Sequence, residues 1–179
     1  MIKLRPIDLH WLGQYPENSA DLCAHGSVEF QINGEWVVQP TDGGCTVSAA
    51  AVYLLRTLSR PHTKQDPVAE HLFPCCGNGL FQVEGQDDVL IIGCNSGIDL
   101  EVVVSGDQVQ ITAADGTTEQ VTLVDWKSAV CTFSDAVMSF YSGSPPREPA
   151  DEEDRKGFDQ FLQEWSRRRE LAWVLCSSD

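Results

Sequence analysis

Apolar and polar positions first alternate in "SVEFQINGEWVVQ", where Val28, Phe30 and Ile32 fall on one side and Trp36 to Val38 return after a break. A period of two belongs to a half-buried strand, and Asn33-Gly34 suits the two left-handed positions of a type I′ turn, so this stretch predicts a β-hairpin. From Thr46 to Arg60 the period lengthens: Val52, Leu55 and Leu58 recur at the spacing of one helical face, and Pro61 ends the helix. Between Leu80 and Val124 short runs return, "LFQVE", "DVLIIGC", "IDLEVVVSG", "QVQITAA" and "EQVTLVDW", broken by Gly and Asp turn residues. They predict an antiparallel meander. Leu100, Val102, Val104, Val109, Ile111, Val121 and Leu123 share its buried face, leaving Asp99, Glu101, Gln110, Thr112, Gln120 and Thr122 on a polar, acidic one.

Two further helices complete the pattern. In "DWKSAVCTFSDAVMSFY", Asp125 can cap, and Trp126, Ala129, Val130, Phe133, Val137, Phe140 and Tyr141 keep helical spacing. "SGSPPREPA" reads as a linker. The last helix opens with "DEED" and carries "RRR" toward its end, as the macrodipole prefers, with Phe158, Phe161, Leu162 and Trp165 as its buried stripe and the charges as a solvated face. The expected fold is α+β: an antiparallel meander sheet packed against about three helices, in one domain spanning 1–179. Its parts are a hairpin and first helix (1–60), an acidic strand meander (61–125) and two C-terminal helices (126–179). The five tryptophans are read as core residues, Trp11 and Trp173 having the least regular surroundings.

Composition narrows the class. With 179 residues, 42% of them apolar and 22% charged, the chain can bury an ordinary core without staples. No apolar run approaches bilayer length, and "MIKLRPIDLHWLGQYPENS" lacks the apolar stretch of a secretory signal, so a cytoplasmic location is expected. Seven cysteines at irregular spacings argue against a disulfide scaffold and for free thiols. Twelve bases against 27 acids give a net charge of −15, which disfavours nucleic acid and anionic membranes and favours a basic protein partner. Residues 61–125 hold eleven acids and one base, Lys64, so this segment carries most of the imbalance.

Two constellations could carry chemistry. In "QPTDGGCTVSAAAVYLL", Gln39 lies six positions before Cys45 at the start of a helix. The arrangement resembles the opening of papain-like or bacteriocin-processing cysteine peptidases, which implies a Cys45 nucleophile activated at a helix N-terminus and Gln39 holding an oxyanion. Those enzymes take their base from a His well after the nucleophile helix, whereas the histidines here are His10, His25, His62 and His71. A cysteine hydrolase is therefore the alternative expectation. "DLCAHG", "PCCG" and "IIGC" bring Cys23, His25, Cys75 or Cys76, and Cys94 into consideration as a Cys3His zinc set, but their spacing fits no regular zinc knuckle. No metal and no cofactor is expected. "GCNSGIDLEV" lacks both phosphate-loop patterns and reads as a turn.

A small acidic α+β chain without a full catalytic set is similar in type to the immunity proteins of bacterial toxin systems. "DLCAHG", "PCCG" and "GFDQFLQEW" also resemble uncharacterised proteobacterial proteins. The resemblance implies an inhibitor that neutralises a basic toxin by direct binding. The acidic segment supplies the expected interface, Asp99, Glu101, Gln110, Thr112, Gln120 and Thr122, with electrostatic steering of the encounter.

Overall fold

Positive φ at Asn33 (56°) and Gly34 (93°) closes the expected hairpin between β2 (His25–Ile32) and β3 (Glu35–Val38). The computed structural model describes residues 1–13, 19–77 and 79–174. A strand absent from the sequence reading, β1 (Ile2–His10), pairs antiparallel with β2, Ile2 opposite Ile32 and Leu4 opposite Phe30. Lys3 and Arg5 obscure its alternation, yet both are accounted for: they reach across the ladder to Glu29.

The first helix, α1 (Val47–Arg56), is shorter than the expected 46–60 and buried at every position. The chain leaves the helix at Thr57, whose hydroxyl donates to the Leu54 carbonyl (2.6 Å), and turns before Pro61. A single apolar stripe therefore understates α1. It is the central helix of the molecule, and its run of three alanines lets neighbours approach from all sides.

The expected meander over 80–124 is divided. β4 (Phe73–Pro74) pairs with β7 (Gly97–Ile98), and β5 (Gly79–Phe81) pairs with β6 (Leu90–Ile92). Of the strands in this segment, β8 (Leu100–Ser105), β9 (Gln108–Ala113) and β10 (Thr118–Thr122) form a continuous antiparallel meander. The division follows from close backbone crossings that glycine permits. A Cβ at Gly93 would stand 2.1 Å from the Cys76 carbonyl oxygen, and one at Gly97 would stand 2.6 Å from that of Phe73. Within the three-stranded sheet Leu100, Val102, Val109, Ile111 and Val121 of the expected inward row are buried, whereas Val104 is half-buried.

The last expected strand ends early, because α2 (Leu123–Gly143) starts at Leu123. Thr122, not Asp125, caps it: the Thr122 hydroxyl accepts the Asp125 N–H at 3.1 Å. Helix α2 lies across β1 and α1, burying Trp126, Val130, Phe133 and Val137. Helix α3 (Glu152–Val174) packs on β5 and α1, capped by Asp151, whose Oδ1 accepts the Glu153 and Asp154 N–H groups (2.9 Å each). At Gly157 it touches β5 backbone to backbone, since a Cβ there would lie 1.9 Å from the Leu80 carbonyl oxygen.

The "RRR" run is not a solvated face. Arg167 and Arg168 both hold Asp88, Arg168 also binds Glu164, and Arg169 binds Asp135, so the run ties α3 to the 84–89 loop and to α2. Trp126 and Trp165 are buried, and Trp11 packs on Phe140 and Tyr141 with the Arg147 guanidinium 4.2 Å from its ring. The Trp173 side chain and Cys176 lie outside the described residues. The molecule is an α+β fold, and among the described residues no helix is long and apolar enough to cross a membrane.

Candidate functional site

β3 is a four-residue edge strand with its burial concentrated at Val38, and Trp36 on it is 46% exposed, against the expectation of a core residue. The register shifts between Phe30 and Gln31, so the turn-proximal half of β3 is carried past the core. Trp36 instead lines a groove of about 260 Å³ between β3 and the ends of β7 to β10. Val37, Ile98, Leu100 and Ile111 give this groove an apolar lining, and Glu35, Asp99, Asp115 and Glu119 supply four carboxylates with no basic residue among its walls.

Each carboxylate arrives by a local device. Glu35 follows the Asn33-Gly34 turn directly. Asp115 sits in the β9–β10 turn, where the Thr117 N–H donates to its Oδ1 (2.8 Å) and holds its carboxyl below the ordinary value. Glu119 lies opposite Ile111 on the inward row, at the end of the sheet beside β3. Asp99, between β7 and β8, is the most constrained. The His62 Nδ1 accepts the Val68 N–H at 3.0 Å, which leaves the ring proton on Nε2 to be donated to Asp99 Oδ1 at 2.8 Å. The Leu72 N–H donates to the same oxygen at 3.1 Å. Burial opposes ionisation of Asp99, but the His62 bond and the backbone donors outweigh it and hold the carboxyl below its ordinary value. Fixed anions around an apolar, aromatic-walled groove can receive a cationic side chain, its stem against the floor and its charge against Trp36 and the carboxylates.

The register places the expected interface residues in rows on the outer face of the meander. Glu101 stands opposite Thr112, and Gln110 opposite Gln120. Thr122, opposite Gln108, is committed to capping α2. Asp99 borders both the groove and a neighbouring hollow that contains Lys64, Glu101 and Thr112. Apart from Asp99 at its margin, this set contributes one formal charge, Glu101, to the outer face. The denser group of carboxylates lies in the groove, where Asp115 and Glu119 belong to the eleven acids of 61–125 without having been singled out, and Glu35 and Trp36 escaped the sequence reading. Their signal was an aromatic beside an acid directly after a hairpin turn.

The other sequence candidates lie elsewhere. Cys45 is 6% exposed and sits two residues before α1, its backbone paired with Gly26 (2.7 and 3.0 Å). Burial, with Cys75 nearby, pushes its thiol up to about 12, opposite to what a nucleophile requires. Gln39 is exposed, and its backbone N–H donates to Asp42 in a 3₁₀ turn, Pro40–Asp42. Cys23 is fully buried, its thiol pushed to about 12 mainly by burial, and His25 faces Asp21 at 3.5 Å. Cys75 and Cys94 do meet, together with Cys76. Among the described residues no group of three or more His, Cys, Asp or Glu side chains is arranged to hold a metal ion. Comparison with protein-family models, curated proteins and solved structures gives no match for this chain.

Proposed function

We propose that this protein is an acidic inhibitory binding protein of the immunity type, which neutralises a basic bacterial toxin by direct docking. The observation that carries the reading is the groove: four carboxylates and an exposed tryptophan around an apolar floor, with no basic residue in its walls, in a chain of net charge −15. Four like charges in one groove repel one another, and an incoming Arg or Lys relieves that repulsion while its methylenes cover Val37, Ile98 and Leu100. Asp99, Glu101, Gln110, Thr112, Gln120 and Thr122 extend the contact over the outer face of the meander.

The test is growth rescue and binding kinetics against a panel of basic bacterial toxins. Rescue by the wild type and its loss in Glu35→Lys/Glu119→Lys and in Asp99→Lys/Glu101→Lys support the reading. Exposed charges are screened over about 8 Å at physiological salt, so the association rate should fall steeply with added salt while dissociation changes less. Asp151→Lys, at the start of α3, should lose a helix cap yet bind as before. Unchanged rates in both charge-reversal variants would eliminate the groove and the meander face as the interface.

A further inference from the structure

Three cysteines from two separate loops meet at the surface, beside a cleft that shares no lining residue with the acidic groove. Cys75 and Cys94 are exposed and Cys76 is half-buried. Their loops are held together by the backbone: the Cys75 N–H donates to the Ser96 carbonyl at 2.9 Å, and the Cys94 N–H donates to Cys76 Sγ at 2.8 Å. Gly93 makes this contact possible, because any Cβ there would collide with the Cys76 carbonyl. Cys76 and Cys94 also line a cleft of about 230 Å³ with Glu70, His71 and Arg56, so a small polar oxidant can reach them.

We infer that Cys94 and Cys76 form a reversible dithiol–disulfide site that reacts with peroxides, Cys94 as the attacking thiol and Cys76 as the resolving one. Reactivity divides among the thiols by surroundings. Cys94 is exposed where Cys76 is half-buried, so a peroxide meets it first; its thiol is held below the ordinary value, chiefly by the Cys76 side chain beside it, while Cys76 and Cys75 are raised, chiefly by Cys94. Cys23 and Cys45 are buried and pushed up to about 12. In the reaction, the Cys94 thiolate attacks one peroxide oxygen: an S–O bond forms, the O–O bond breaks, and hydroxide leaves to be protonated as water. Cys76, as thiolate, then attacks the Cys94 sulfenic sulfur; the S–S bond forms, the S–O bond breaks, and a second water leaves. Two thiols are oxidised by one electron each and one peroxide is reduced by two. A dithiol reductant reverses the step.

The test uses the full chain in a Cys176→Ser background, treated with one equivalent of hydrogen peroxide. The expected result is loss of two free thiols, no disulfide-linked dimer on a non-reducing gel, a Cys76–Cys94 linkage by peptide mapping, and recovery with dithiothreitol. Cys76→Ser should instead trap Cys94 as a sulfenic acid that dimedone labels, and Cys75→Ser should still form the disulfide. Cys94 should react severalfold faster than half-buried Cys131. A linkage through Cys75, an intermolecular disulfide, or equal oxidation of Cys131 and Cys94 would overturn the assignment.

Discussion

Glu164 is fully buried and serves four donors, so its replacement is the sharpest available test of how the helices are held together. Its Oε1 accepts from Arg56 Nε (2.8 Å) and Arg168 Nε (2.6 Å), and its Oε2 accepts from Arg56 Nη2 (2.8 Å) and the Val89 N–H (2.8 Å). Arg56 in turn donates to the Val68 and Val89 carbonyls, so one ion pair fixes α1, α3 and two loops. Glu164→Ala leaves a buried guanidinium without its counter-charge and a buried N–H without its acceptor. Removing one member of such a pair costs about 3–5 kcal/mol. For a chain of 179 residues this lowers Tm by about 6–20 °C, at roughly 2–4 °C per kcal/mol. Because the penalty belongs to the stranded charge, Arg56→Leu/Glu164→Leu should recover part of the loss, giving a double-mutant cycle far from additive. Thermal melts and urea titrations of Arg56→Leu, Glu164→Leu and the double variant measure this, beside Glu164→Ala and with Glu170→Ala on the exposed side of α3 as the control. If Glu164→Ala melts with the control, or if the double variant loses the full sum, the pair does not anchor the helices and the reasoning fails.

Other outcomes follow from the same structure. Phe133→Ala, at a fully buried position, should cost about 3–5 kcal/mol by urea denaturation, while exposed Ser139→Ala should be near neutral; equal midpoints would refute the assigned face of α2. Gly157→Ala gains about 1 kcal/mol in helix propensity but forces a Cβ to 1.9 Å from the Leu80 carbonyl, a clash that costs at least the ~1–3 kcal/mol of overpacking, so the variant should melt lower than the wild type. Asp88 and Asp99 both titrate below their ordinary 3.8 despite burial, held by Arg168 and His62 respectively; the stability they supply is present above that value and is lost as pH falls through the lower folded one. Asp99→Asn should therefore be less stable at neutral pH and show a shallower acid limb in melts taken from neutral pH to below 3.8, and an unchanged limb would exclude this linkage.

The sequence by itself determined the pieces whose signals are local. Asn33-Gly34 closes a hairpin because those residue types adopt positive φ at little cost, and the alternation of Leu100, Val102, Val109 and Ile111 selects the buried side of a strand because a pleat has period two. The stripes Phe133–Val137 and Phe161–Trp165 were legible for the same reason at period 3.6. Tertiary structure decided what depends on partners distant in the chain. The strands between Leu80 and Val124 separate into different sheets because the backbone crosses itself at Gly93 and Gly97, a contact with no sequence periodicity. Arg56 takes its counter-ion from Glu164, 108 positions away, a pairing that no local pattern announces. The candidate groove was hidden for the same reason. Glu35 and Trp36 come from one hairpin, and Asp99, Asp115 and Glu119 come from another part of the chain, so only packing β3 beside the meander gathers four carboxylates around one apolar floor.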